Sequence, residues 1–286
     1  MEITGIKLLC SAMFFNLLLI SCNEKGSSIK VLDVSNGVVD SASFYGKHDD
    51  TIKKTIADVG QNSNDLSPLV NQNQLVKHEY YSLSYSESHE QAEWVAYDLK
   101  KDYVKNNNYQ RPFFIEDPSV TTKSADWRNY KNSNYDKGHL CPAGDMEFSR
   151  KAYDATFFTS NISPQDKKFN SGVWNRLEQK VRYWAVKYDG VYVVTGGVLN
   201  DRLKTIGREQ VAVPEYFYKI IARKDKSGYK VIAFLMANRP SEDALYEFVV
   251  AVDEIEKRTG INFFHQLNDT LEQKLESASD YKAWSF

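Results

Sequence analysis

A chain of 286 residues, 42% hydrophobic and 26% charged, has ample apolar material for one domain with a real core and is not a disordered polymer along its whole length. Its net charge of −2 excludes the overall basic character of a tight nucleic-acid binder, so any grip on phosphates has to come from a local cluster. No internal repeat punctuates it, which excludes solenoid and propeller architectures.

At the N-terminus Lys7 precedes Leu8 to Ile20, a mostly apolar stretch interrupted by Ser11 and Asn16. A run of roughly 13 residues suits the core of an export signal better than a membrane span, which takes about 20. Leu19-Ile20-Ser21-Cys22 resembles the lipobox of bacterial lipoprotein signals. That resemblance implies a signal over 1–21, cleavage before Cys22, acylation of its thiol, and an exported protein anchored by its N-terminus to a membrane of the bacterial cell envelope. Residues 22–74, rich in Ser, Asn, Asp and Gly and without a sustained period, read as a flexible tether. The domain is then 75–286. With Cys10 in the signal and Cys22 in the anchor, only Cys141 remains, and no internal disulfide is possible.

Within the domain, His78 to Tyr85 and Glu93 to Tyr97 read as aromatic, strand-like core segments. Arg111 opens the run Arg111-Pro112-Phe113-Phe114-Ile115-Glu116-Asp117-Pro118. Next comes Tyr135-Asp136-Lys137-Gly138-His139-Leu140-Cys141-Pro142. An imidazole titrates near neutrality and therefore suits a general base, while Gly138 beside it predicts a tight turn with room for a substrate. Cys141 reads as a small buried residue. Ala155 to Ile162 is a β-prone run that Ser163-Pro164-Gln165 is predicted to end.

Asn170 to Lys187 predicts a helix, with Val173, Trp174, Leu177, Val181, Trp184 and Ala185 on one apolar face. Asn170, Trp174, Glu178 and Arg182 climb one side at four-residue steps. There the Asn170 amide oxygen can face a hard cation and Glu178 can hold its waters, the bland alternative being a helix cap and an i to i+4 Glu-Arg pair. Gly190 to Leu199, Tyr216 to Arg223 and Tyr229 to Met236 predict strands, the last two forming a hairpin, and Ala244 to Thr259 predicts a helix. The sum is α+β, a mixed, largely antiparallel sheet with packed helices.

The His139 segment, Ser160-Asn161-Ile162-Ser163-Pro164-Gln165 and Asn170 to Glu178 together resemble the DNA/RNA non-specific endonuclease family, whose signature is Asp-Arg-Gly-His in a ββα-metal active site. The likeness extends in family order through Val213 to Lys219 and Ile255 to Phe264, covering about Leu75 to Leu267. It implies a metal-dependent phosphodiester hydrolase acting on DNA and RNA. His139 is its general base, Asn170 its direct Mg²⁺ ligand, with Mn²⁺ or Ca²⁺ as alternatives, and Glu178 the support of the metal's water shell. Arg111 and Arg182 are implied as charge-stabilising arginines, and Asn161 as an orienting residue at the substrate. Lys137 stands where the family has arginine, replacing a bidentate phosphate fork by a flexible point charge.

Charge distribution agrees with that reading. Between Asn161 and Lys187 six bases face two acids, a net +4, whereas from Ser241 to Phe286 ten acids face four bases, a net −6. Two other classes share these features: a non-catalytic module that captures nucleic acid, and a metallophosphodiesterase for small nucleotides. His139, Asn170 and Glu178 all being present favours catalysis over capture.

Overall fold

The computed structural model describes residues 65–286; the predicted signal, Cys22 and most of the predicted tether lie outside these residues. The packed body begins earlier than Leu75. Leu66 is buried among core residues and the Leu69 N–H donates to the Asn262 carbonyl at 2.8 Å, so the end of the predicted tether belongs to the domain.

In chain order the elements are β1 (Gln74–Lys77), β2 (Ser82–Ser86), β3 (Gln91–Leu99), β4 (Tyr135–His139), α1 (Arg150–Ala155), β5 (Ile162–Asp166), α2 (Lys167–Phe169) and α3 (Asn175–Lys187). There follow β6 (Val191–Gly197), β7 (Thr205–Ile206), β8 (Val211–Ala212), β9 (Tyr216–Asp225), β10 (Gly228–Ala237), β11 (Val249–Val250), α4 (Val252–Thr259) and α5 (Asp269–Glu276). Seven strands form one sheet in the order β1-β2-β3-β6-β9-β10-β11, every neighbouring pair antiparallel. The α+β expectation is met. The predicted hairpin is β9-β10, closing with Asp225 opposite Gly228.

Alternation along the strands assigns the two sheet faces. Tyr97, Val193, Phe217, Ile221, Ile232 and Phe234 point to one face, where Val173, Trp174, Leu177, Val181 and Trp184 of the α3 region cover them. Trp94, Val194, Tyr218, Ile220, Ala222 and Ala233 point to the other, under Val252 and Ile255 of α4 and Leu275 of α5. Burial of these side chains is the main stabilising term, about 1.5–3 kcal/mol for each large one.

Two predicted elements shift. The run ending at Ile162 holds a 3₁₀ turn, Thr159–Asn161, and the strand begins where the sequence was expected to stop it. Pro164 sits within β5 opposite Lys137, which is tolerated because β5 pairs with β4 alone and no second neighbour needs the missing N–H. Ala244 to Thr259 splits into a 3₁₀ turn at Leu245–Phe248, the edge strand β11 and α4.

Candidate active site

β4 and β5 form a two-stranded finger, and the chain runs from β5 directly into the α2–α3 helical segment, giving the ββα arrangement. Asp166 caps α2, its Oδ1 accepting from the N–H groups of Lys168 and Phe169 at 2.9 and 3.0 Å. The helix therefore starts before Asn170. Asn170–Trp174 is a wide π-type turn broken at Gly172 (φ −101°, ψ −109°), and α3 continues from it. Asn170 itself keeps helical dihedrals (φ −56°, ψ −52°), and the break falls two residues later.

His139 is the last residue of β4. Its ring lies edge-on to Phe157 at 5.0 Å and tilted against Phe114 at 5.4 Å, and its Nε2 is covered without a hydrogen-bond partner among the described residues. Burial first, then the nearby Arg111 charge, pulls the imidazole down to about 3, so it is neutral at pH 7. Gly138 differs from expectation. It lies in the strand, and a Cβ there would meet the Gln165 Oε1 at 2.1 Å, so the space it leaves is filled by Gln165 and is not kept for substrate.

Two contacts join the His139 segment to the helix. The Asn170 Nδ2 donates to the Asp136 Oδ2 at 3.2 Å, three residues before His139 on the same strand. The Arg182 Nη1 donates to the Asp145 Oδ1 at 2.6 Å, six residues after it. Asp145 is wholly buried and also accepts from the Tyr97 hydroxyl at 2.8 Å. Arg182 thus pairs with Asp145, where the sequence suggested Glu178, and the bond fixes its guanidinium beside the site.

Beneath them lies a residue whose role the sequence did not reveal. Lys219 occupies the α3-facing side of β9 between Phe217 and Ile221; it is fully buried, with its Nζ 4.8 Å from the Trp174 ring centroid. The sequence places it only within the predicted strand Tyr216 to Arg223, and a lone charge inside Tyr216-Phe217-Tyr218-Lys219-Ile220-Ile221 is the signal available. Burial lowers the Lys219 ammonium while Glu178 and Asp145 oppose that shift. Burial raises Glu178 to about 7, against the pull of Lys219 and Arg182. Glu178, Arg182, Asp145 and Lys219 form one coupled charge cluster between helix and sheet.

Arg111 and Lys137 reach the other side of His139. The Arg111 guanidinium lies 5.5 Å from the Phe114 ring and 5.4 Å from Phe157, and the Lys137 Nζ lies 5.5, 5.9 and 6.0 Å from Phe114, Trp127 and Tyr130. Lys137 is half-buried and lowered, mainly by burial and then by Arg111. Rings hold both cations in place, which limits the looseness expected of a lysine here.

Asn161 corrects an expectation. It is fully buried, accepts from the Cys141 N–H at 2.8 Å, and donates to the carbonyls of Cys141 and Thr156 at 2.9 Å. With its amide committed to backbone it positions the chain after His139 and has nothing to offer a substrate. Cys141 is buried and its thiol is raised by burial, as fits a packing residue and not a nucleophile. The basic stripe is also thinner than its count. Arg176 donates to the carbonyls of Ser241 and Asp243, and exposed Lys187 to Ser285 and Tyr183, while Lys167 and Lys168 are exposed on the short helix before Asn170.

These residues fit a divalent cation. The Asp136 bond commits the Asn170 amide NH₂ and leaves Oδ1, a hard oxygen donor, while Glu178 is a raised carboxyl in surroundings that extra positive charge would relieve.

The family model described as DNA/RNA non-specific endonuclease matches residues 58–270. The chain is 38% identical over 202 residues to mitochondrial nuclease EXOG of Danio rerio, a match covering 65% of this chain and 59% of that protein. It is 33% identical to mitochondrial endonuclease G of Homo sapiens (66% and 69% covered) and 31% identical to nuclease C1 of Cunninghamella echinulata (68% and 83%). A crystal structure of an EndoG/EndoGI complex superposes with a TM-score of 0.65 at 31% identity, covering 70% of this chain and 89% of that one. The EXOG proteins of Danio rerio and Mus musculus are matched over less than two thirds of their own length.

Proposed function

The chain belongs to the DNA/RNA non-specific endonuclease family, and on that premise we propose that it is a divalent-cation-dependent endonuclease hydrolysing phosphodiester bonds in both DNA and RNA. The observation that carries the proposal is the Asp136–Asn170 hydrogen bond, through which one strand both presents the base His139 and orients the amide that would hold the cation.

Arg111 and Lys137 would draw a substrate phosphate to the His139 side of the finger. Neutral His139 can act as the base that takes a proton from water. An imidazole held near 3 is a weak base, and the negative charge of a bound phosphate would offset Arg111 and strengthen it. Asn170 would ligate the cation, Mg²⁺ in the first instance, with Glu178 accepting hydrogen bonds from its waters, and the bound ion would neutralise charge on the phosphoryl and leaving oxygens. Arg182, fixed by Asp145, adds positive charge from the helix side. None of these groups reads a base edge, which supports low sequence specificity.

The test is digestion of supercoiled plasmid and of RNA, each with Mg²⁺ and with EDTA. Cleavage of both polymers only with metal is expected. Hydrolysis confined to small nucleotide esters, or retention of nucleic acid without cleavage, would refute the endonuclease reading.

The N-terminus supports a second part of the proposal: the apolar run Leu8 to Ile20 and Leu19-Ile20-Ser21-Cys22 favour export and a lipid anchor on Cys22 at a bacterial envelope membrane. Cys22→Ser should free the protein from the membrane fraction or block its maturation; unchanged membrane association would rule the anchor out.

A further inference from the structure

The acidic C-terminal region has no part in the chemistry above, yet it concentrates unusual groups on the sheet face away from α3. Asp253 and Glu256 on α4 and Glu276 at the end of α5 each offer a carboxylate oxygen, and the three lie within 4.8 Å of one another. Glu276 is only 7% exposed, and its Oε1 is covered with no hydrogen-bond partner among the described residues. Glu256 is held in place, its Oε1 accepting the Phe263 N–H at 2.9 Å. The charged groups that act on Glu276 are carboxylates, Glu256, Glu272 and Asp253; burial first, then these charges and a side-chain hydrogen bond with Glu256, push it up to about 8.

Ionising a buried carboxyl beside two further carboxylates is costly unless positive charge is supplied. Lys257 and Arg258 do not supply it: Arg258 is paired with Glu254 at 2.8 Å, and neither is among the groups acting on Glu276. We propose that Asp253, Glu256 and Glu276 form a second divalent-cation site, a calcium site, separate from the active site and joining α4 to α5.

Calcium suits it better than the alternatives. The donors are all hard oxygens, with no imidazole or thiolate to favour zinc. Two oxygens on one calcium ion at about 2.4 Å are separated by at most about 4.8 Å, whereas magnesium bonds near 2.1 Å demand a tighter octahedral cage. With Asp253 exposed, waters can complete the shell. Bound calcium would fasten α5 through Glu276 to α4, and so to the back of the sheet through Val252, Ile255 and Leu275.

The test uses the full chain carrying Asn170→Ala, which removes the proposed catalytic ligand, titrated calorimetrically with CaCl₂ and melted in CaCl₂ or EDTA. One calcium is expected to bind, with Tm rising by about 2–4 °C at saturating ion and less in MgCl₂. Adding Glu276→Gln should remove both the binding and the shift, while its Tm in EDTA stays close to that of its parent because Gln keeps the shape of the neutral carboxyl and can still bond Glu256. Glu276→Gln alone should cleave DNA at the wild-type rate, so a failure of the endonuclease proposal and a failure of this one would look different. Absence of calcium binding in the Asn170→Ala protein, or a calcium shift that survives Glu276→Gln, overturns the site.

Discussion

The two faces of the central sheet both bury ionisable side chains, but under opposite arrangements. Beneath α3, the signs alternate: Asp145 is bonded to Arg182, and Lys219 and Arg182 both act on Glu178. Beneath α4 and α5, the charges that act most on Glu276 are those of Glu256, Glu272 and Asp253, all of one sign. One face therefore compensates most of its charge from its own sequence, and the residual need sits at Glu178, beside the amide of Asn170 where we propose that the catalytic cation is held. On the other face Arg258 compensates Glu254, but among the described residues no cation acts on Glu276 to a comparable degree, and that need is structural. Buried charge by itself does not mark an active site; what distinguishes the α3 face is that its charges border a neutral histidine with an unpartnered nitrogen.

The largest effect should come from separating that chemistry from its framework. His139→Ala is expected to lower cleavage by about 10²–10⁴-fold while DNA binding and Tm hold, as measured by plasmid nicking and gel shift. Near-normal cleavage would return His139 to the status of a packing residue. The charge compensation itself is broken by Arg182→Met, which strands buried Asp145 and should cost about 3–5 kcal/mol in urea unfolding. Adding Asp145→Asn should recover much of that loss, since both charges are then gone. Equal losses in the single and double variants would mean the pair is not compensating.

Acid sharpens the comparison more gently. His139 takes up its proton near 6.5 when unfolded but only near 3 when folded, so between these values the unfolded state binds more protons and stability falls as pH falls. The slope from this one group is at most about 1.4 kcal/mol per pH unit. Wild-type Tm should accordingly drop more steeply from pH 6.5 to 4 than that of His139→Gln. Parallel curves would show that the imidazole is not held neutral. The smallest effect belongs to Lys137: held among Phe114, Trp127 and Tyr130, it should accept arginine with little change in rate, while Lys137→Ala should raise the KM for long DNA, more so at moderate salt.

What the sequence revealed follows physical range. The β9-β10 hairpin and the apolar face of α3 were legible because period-2 and period-3.6 patterns act between near neighbours in the chain. Motif spacing nominates His139, Asn170 and Glu178, and the fold links the strand of His139 to the helical segment of the other two through the Asp136–Asn170 bond. Lys219 was not legible, because its position under Trp174 depends on the register that sets it opposite Thr195 and Phe234, a tertiary fact. Asp145 was missed for the same reason: a loop aspartate becomes the partner of Arg182 only when the segment after β4 folds back on the helix. Pro164 misled because its cost depends on having a second strand neighbour, which β5 lacks. Asn161 looked available to substrate until its three backbone bonds were seen.

The central claim is that β4 and the α2–α3 segment together hold one catalytic cation through Asn170. It is tested most directly by titrating Mg²⁺ into plasmid cleavage by the wild-type protein and by Asn170→Ala. Wild-type cleavage should vanish in EDTA, and the variant should need at least about tenfold more Mg²⁺ for half-maximal rate, in keeping with loss of the direct ligand. Cleavage that persists in EDTA, or two titration curves that superimpose, would contradict the account.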